Sequence, residues 1–282
     1  MARPPRKNSL IPSTVRFGGG INDSDRRLDF PLELLKAALQ ASGYPRPVEL
    51  ITGMSQSRRQ NELRTGGIDI SILPTVGPEP SGLLSIPFPV RRGILGVRLL
   101  LARPEQAAAI GEITSLRALK KLRMGYVSEW SDLKQFQDLG FNVVSTPSYP
   151  GMFDLLRRNR VDFLSRGVSE IWLELNEPSL AQGGMVVVPK IALSQPNDDY
   201  FYIRGDDKVL AEMLLRGIKF MHQSGEYTEL FVKHFGKALS DSNLKERRII
   251  PVTGYGVRAN TPLHLFDVLE VDPATARFVI PD

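Results

Sequence analysis

The chain has no cysteine, and only three histidines and two tryptophans among its 282 residues. Without cysteine there is no disulfide framework, no thiolate nucleophile and no cysteine metal site. His222, His234 and His264 are scattered and lack metal-ligand spacing, so no metal and no cofactor is expected. No run approaches 18 consecutive apolar residues, so a membrane-spanning helix is not expected either. Basic and acidic residues (36 and 31) are interleaved, leaving a net charge of +5. That is not the clustered basic stripe of a nucleic-acid footprint. No Gly-x-Ser-x-Gly elbow, paired catalytic carboxylates or Ser/His/Asp order stands out. Triads are recognised by geometry rather than by sequence order, so this absence weighs only mildly against an enzyme.

What is present is the composition of an ordinary globular protein, 42% hydrophobic and 24% charged. The length fits about two domains of roughly 150 residues each. The start, "ARPPRKNSLIPS", is basic and polar and is expected to be a disordered tail over residues 1–13. It has the charge of a secretory leader but no apolar segment. Either the chain works in the cytoplasm or a leader has been removed.

Strands and helices alternate along the chain. "TVRFGGG" (14–20) reads as a strand ending in glycines. "SDRRLDFPLELLKAALQASG" (24–43) carries Leu28, Leu32, Leu35 and Leu39 at helical spacing, with Pro31 in the first turn and Gly43 as the stop. "PVELITG" (47–53) is a strand, "SQSRRQNELRTGG" (55–67) a polar helix capped by Ser55, and "IDISIL" (68–73) a strand. This is the β-α-β-α-β order of a mostly parallel α/β sheet. A Pro/Gly-rich loop (74–82) follows, then two extended runs over 83–105 broken at Pro89 to Gly93. The alternation then restarts. Helices are expected at 115–122, 131–140, 150–159 and 169–177, and strands at 123–128, 141–147, 160–167, 184–190 and 199–207. The segment 208–236 is helical in two pieces around Ser224-Gly225, and the tail after Gly236 has little periodicity.

One phrase occurs twice. "LRTGGIDISILPT" (63–75) and "NRVDFLSRGVSEIW" (159–172) each end a helix, turn, and enter a strand through Ile-Asp or Val-Asp. The second copy carries Arg166 where the first carries Leu73.

In this order the chain resembles the type II periplasmic solute-binding proteins, in particular the amino-acid-binding branch that serves ABC transporters. The resemblance rests on "TGGID" and "NRVD", on the linker "SIPFPVRRGILGVRLLLA", on "SLRALKKLRMGYVSEWS", and on the closing helices "LAEMLLRGIKFMHQSGEYTELFVKHFG". It covers roughly residues 14–236. It implies a two-lobed α/β fold, each lobe a mostly parallel sheet flanked by helices. One lobe would be 14–92 plus 198–282, with 237–282 as a C-terminal extension, and the other 93–197. Hinge strands would lie near Val90–Gly93 and Ser194–Asp198. Ligand would sit between the lobes and be enclosed by hinge closure. The resemblance also implies a periplasmic or otherwise extracytoplasmic monomer, with a membrane permease or a receptor as partner. The departures bear on the ligand. The family's carboxylate-binding arginine falls at Pro80, and its amine-binding aspartate falls at Arg166-Gly167, so a standard α-amino acid is doubtful.

Arg166 is the leading candidate contact, for a carboxylate or phosphate; the alternative is a structural salt bridge to Glu170 or another acid. Glu170 either orients Arg166 or grips a ligand cation. Arg59 is placed to supply the anion contact that Pro80 lacks, or else lies on a solvated helix face. Gly19, within Gly18–Gly20, allows close backbone approach. Ser55 and Thr75 are hydrogen-bonding candidates from the first lobe. Tyr126, Ser128, Glu129, Trp130 and Ser131 form the second-lobe loop where the family meets ligand, and Trp130 is either an aromatic wall or packing. An enzyme on the same scaffold, dehydratase-like, would use Glu129, Glu170 or Glu79 as acid and base. A ligand-sensing domain detached from a receptor is the third possibility.

Overall fold

The structure is a computed structural model that describes residues 13–20, 25–181, 184–256, 270–272 and 277–279. The basic start lies outside them except for Ser13, and so does His264. The chain forms two compact units. Unit 1 comprises residues up to Pro74, Pro78–Val90 and Asp199–Gly236; unit 2 comprises Thr75–Gly77, Arg91–Asp198 and the residues from Lys237 on.

In chain order, unit 1 begins with β1 (Val15–Gly18), α1 (Asp29–Ala41), β2 (Val48–Ile51), α2 (Gln56–Thr65), β3 (Ile70–Pro74) and β4 (Leu83–Ser85). Unit 2 adds β5 (Val97–Ala102), α3 (Pro104–Gly111), α4 (Leu116–Leu119), β6 (Arg123–Val127), α5 (Leu133–Asp138), β7 (Asn142–Thr146), α6 (Tyr149–Arg157), β8 (Phe163–Gly167), α7 (Val168–Asn176), α8 (Pro178–Ala181), β9 (Val186–Val187) and β10 (Ile191–Ser194). The chain then returns to unit 1 with β11 (Asp199–Arg204), α9 (Lys208–Ser224) and α10 (Glu226–Ser242), whose last turns belong to unit 2. Unit 2 closes with β12 (Arg248–Pro251), β13 (Glu270–Asp272) and β14 (Arg277–Val279), the last two an antiparallel pair.

The sheet of unit 1 has the order β2-β1-β3-β11-β4. β1 runs parallel to β2 and β3, while β11 is antiparallel to both β3 and β4. α1 buries Phe30, Leu34, Leu35, Ala38 and Leu39. It packs closely on α9 because Gly217 has no side chain: a Cβ there would lie 1.8 Å from the Ala38 carbonyl oxygen. Phe30 sits edge-on against Tyr227 and Phe231 of α10. Burying each such large apolar side chain is worth about 1.5–3 kcal/mol.

The sheet of unit 2 has the order β12-β10-β5-β8-β6-β7, with β9 also on β5. Its core includes Leu100, Met124, Phe136, Phe163, Ile191, Leu193 and Ile250. β6 is parallel to β7 and β8, but β5 is antiparallel to β8 and β10. Both sheets are therefore mixed, not mostly parallel. Strands such as β11 and β5 enter from distant parts of the chain, where the local β-α-β rule does not set direction.

Other expectations need correction. Residues 103–105 open the helix α3, with Pro104 at its first position, where a missing N–H costs nothing. The strand expected at 184–190 is the two-residue β9; Pro189 has no N–H to give a ladder, and pairing resumes at β10. Gly236 does not end its helix, which runs on to Ser242. The segment 237–256 then joins unit 2, not the first lobe, because β12 pairs in parallel with β10.

The Asp198 carboxylate, fully buried, accepts from the backbone N–H of Arg91 at 3.0 Å and from that of Gly93. Gly93 has φ +86°, a left-handed conformation suited to glycine.

Candidate functional site

The two copies of the repeated phrase build the same local circuit. In unit 1, α2 ends at Gly66 (φ +78°) and the Gly67 N–H returns to Glu62 O at 2.8 Å. In unit 2, Asn159 takes the left-handed position (φ 56°) after α6, and the Arg160 N–H returns to Leu155 O at 2.8 Å. Asp69 then accepts from both the backbone and the guanidinium of Arg16 on β1, which also donates to Gly66 O and Gly67 O. Asp162 does the same with Arg123 on β6, which donates to Asn159 O. Each arginine thus satisfies carbonyls left open at a helix end. The Arg123 hydrogen bond holds the Asp162 carboxyl below its usual value.

Beyond the aspartate the copies diverge. Leu73 is buried with Met54, Leu63, Ile68, Tyr200 and Tyr202 in an apolar cluster. Arg166, only 1% exposed, lies on β8 opposite Leu99 of β5. Its Nε donates to both carboxylate oxygens of Glu174 at 2.9 Å, and its Nη2 lies 3.1 Å from Glu170. The guanidinium carbon stands 5.0 Å from the Trp130 ring centre and 5.7 Å from that of Tyr149, whose hydroxyl donates to Glu174. Burial pushes the Arg166 guanidinium down, but Glu170 and Glu174 outweigh it and hold the group well above its ordinary value. Glu170 also accepts from the Gly167 N–H at 3.2 Å at the start of α7, and lies 3.7 Å from Arg98. Arg166 is thus in the salt-bridged state that is the alternative to ligand contact, and its main partner is Glu174 on α7. Glu174 is not among the candidates the sequence offers. The signal was Glu170 and Glu174 four apart on one helix face.

The neighbouring loop is likewise internally bonded. The Tyr126 hydroxyl donates to Asp132 at 2.6 Å, and that of Tyr255 to the other carboxylate oxygen at 2.6 Å. Burial raises both phenols well above their ordinary range. Trp130 packs edge-on against Tyr126 with ring centres 4.7 Å apart. Ser128 and Glu129 are exposed. Among the described residues the buried Ser131 Oγ has no hydrogen-bond partner, and neither do Ser169 Oγ, Gln195 Oε1 and Asn197 Oδ1. Thr75 falls in unit 2, where its Oγ1 accepts from the Asp198 N–H at 3.1 Å. Of the three carboxylates considered as acid or base, Glu79 is in unit 1, Glu129 and Glu170 in unit 2.

In unit 1, Ser55 caps α2 by accepting from the Arg58 N–H. Gly19 is buried against Leu28, whose Cδ1 would lie 2.4 Å from an added Cβ. Arg59, one turn into α2, is partly buried, and its Nε is shut off from solvent with no hydrogen-bond partner among the described residues. Burial pushes this guanidinium below its ordinary value; Asp199 offsets part of that, and Arg27 adds to it. A partly buried guanidinium with one shut-off, unbonded N–H gains from an anion that accepts from it.

Among the described residues no group of His, Asp or Glu is arranged to hold a metal ion, and no helix is long and apolar enough to cross a membrane.

No protein-family model matches the chain, and no curated protein sequence matches it significantly. Solved structures do match. An ancestral arginine-binding protein bound to arginine aligns over 80% of this chain and 100% of its own, at 18% identity and TM-score 0.60. A histidine kinase sensor domain with similarity to periplasmic binding proteins aligns over 79% and 96%, at 17% identity and TM-score 0.60. The substrate-binding protein of an amino acid ABC transporter aligns over 79% and 99%, at 15% identity and TM-score 0.56. The fold is that of the type II periplasmic binding proteins. The named neighbours are two binding proteins and the sensor domain of a histidine kinase.

Proposed function

We propose that the chain is an extracytoplasmic solute-binding protein that takes up a small anionic or zwitterionic ligand by hinge closure and presents it to a transporter or a sensor. The observation that carries the ligand class is Arg59, whose buried Nε finds no hydrogen-bond partner among the described residues. Ser55, the cap of the same helix, is proposed as a further contact. Arg166 is assigned a supporting role, because Glu174 and Glu170 already engage it. With both glutamates committed to Arg166, an anion is favoured over an amino acid. The sensor role is kept beside the transporter role because a kinase sensor domain shares the fold at the same TM-score as the arginine-binding protein.

A thermal-shift screen of carboxylates, phosphorylated metabolites and amino acids tests this. A ligand that binds only the folded state stabilises it by RT ln(1 + [L]/Kd), about 2.7 kcal/mol at a hundredfold excess over Kd. At least one anion is expected to raise the melting temperature saturably. A flat response across all classes would overturn the reading.

A further inference from the structure

The surroundings of Arg166 match what a free guanidinium requires: two aromatic faces and two carboxylates, one of them engaged by Nε and Nη2 together. Planar forked donors and cation–π stacking separate a guanidinium from an ammonium at such a place. The cage is held by contacts independent of Arg166. Trp130 is braced by Tyr126, Tyr149 packs on Phe153, and Glu170 is fixed by the Gly167 N–H. We infer that Trp130, Tyr149, Glu170 and Glu174 form a guanidinium-binding site that Arg166 fills from within the chain, and that takes a free alkylguanidinium once that side chain is cut back. The site does not depend on the solute-binding reading and is tested without any natural ligand.

The test is chemical rescue of the full chain carrying Arg166→Ala. Ethylguanidinium supplies the lost atoms; ethylammonium and sodium chloride at equal ionic strength are the controls. The melting temperature of the variant is expected to fall by roughly 5–15 °C. Millimolar ethylguanidinium is expected to restore at least half of that loss saturably, while ethylammonium does not and the unaltered protein does not respond. In the double variant Arg166→Ala with Glu174→Gln the rescue is expected to disappear. If Arg166→Ala does not fold alone, the readout is the folded fraction recovered on refolding with ethylguanidinium, by near-ultraviolet circular dichroism. Equal rescue by ethylammonium, equal rescue in the double variant, or no rescue would overturn the inference.

Discussion

The two copies of the helix–turn–aspartate–strand phrase are alike where they build the backbone and unlike where they face their surroundings. Arg16–Asp69 and Arg123–Asp162 repeat the same hydrogen bonds at the same places. Four residues past each aspartate, unit 1 places Leu73 among apolar side chains and unit 2 places Arg166 among glutamates and aromatic rings. A repeated phrase therefore reports a repeated scaffold, and the position at which the copies part reports what each unit does with it.

Exchanging that position should break the comparison most severely. Leu73→Arg puts a cation into an apolar cluster, and loss of the folded state is expected in urea unfolding. In the other copy, Glu174→Ala leaves Arg166 buried with only Glu170, at an expected cost of about 3–5 kcal/mol. If Leu73→Arg folded as stably as the parent, the two positions would not be distinct environments.

A smaller effect is expected at the shared aspartates. Asp69→Asn and Asp162→Asn each weaken charge-assisted hydrogen bonds, which are worth about 1.5–3 kcal/mol in general. For Asp162 the pH dependence has a definite sign. Its folded-state value lies below the unfolded one of about 3.9, so its contribution is present above that pH and is lost as pH falls through the lower, folded value. Urea unfolding of the parent and Asp162→Asn should converge as pH is lowered below about 4; a constant difference would show that the carboxylate charge is not what stabilises the turn.

The smallest effect is at the left-handed turn residues. Gly66→Ala should cost about 1–2 kcal/mol; Asn159→Gly eases the left-handed backbone but removes the Oδ1 that accepts from Arg103 and Arg123, and should cost about 1 kcal/mol on balance. Similar losses in both would mean that Asn159 matters for its bonds to Arg103 and Arg123 more than for its conformation.

Much of this was legible in the sequence because it is local. Apolar periodicity marks α1 and α9, glycine marks the end of α2, and Ile-Asp or Val-Asp marks entry to a strand. What was not legible depends on distant pairing. Nothing near "RIIP" says that β12 joins β10, and Gly236 has the look of a stop although its helix continues, with Ser242 accepting from the Trp172 indole at 2.9 Å. The site divides in the same way. Arg59 and Arg166 stand out as residue types, but Glu174 pairs one of them, while the Nε of the other meets no acceptor among the described residues.

On the proposed function Arg59, rather than Arg166, meets the ligand. Titration calorimetry with the best anion from the screen tests it on two variants: Arg59→Gln, and Arg166→Met with Glu174→Gln, which removes the internal pair together. Binding is expected to weaken at least tenfold in Arg59→Gln and to stay within about threefold of the parent in the paired variant, a tenfold change being 1.4 kcal/mol. Unchanged affinity in Arg59→Gln, with binding lost in the folded paired variant, would contradict the account.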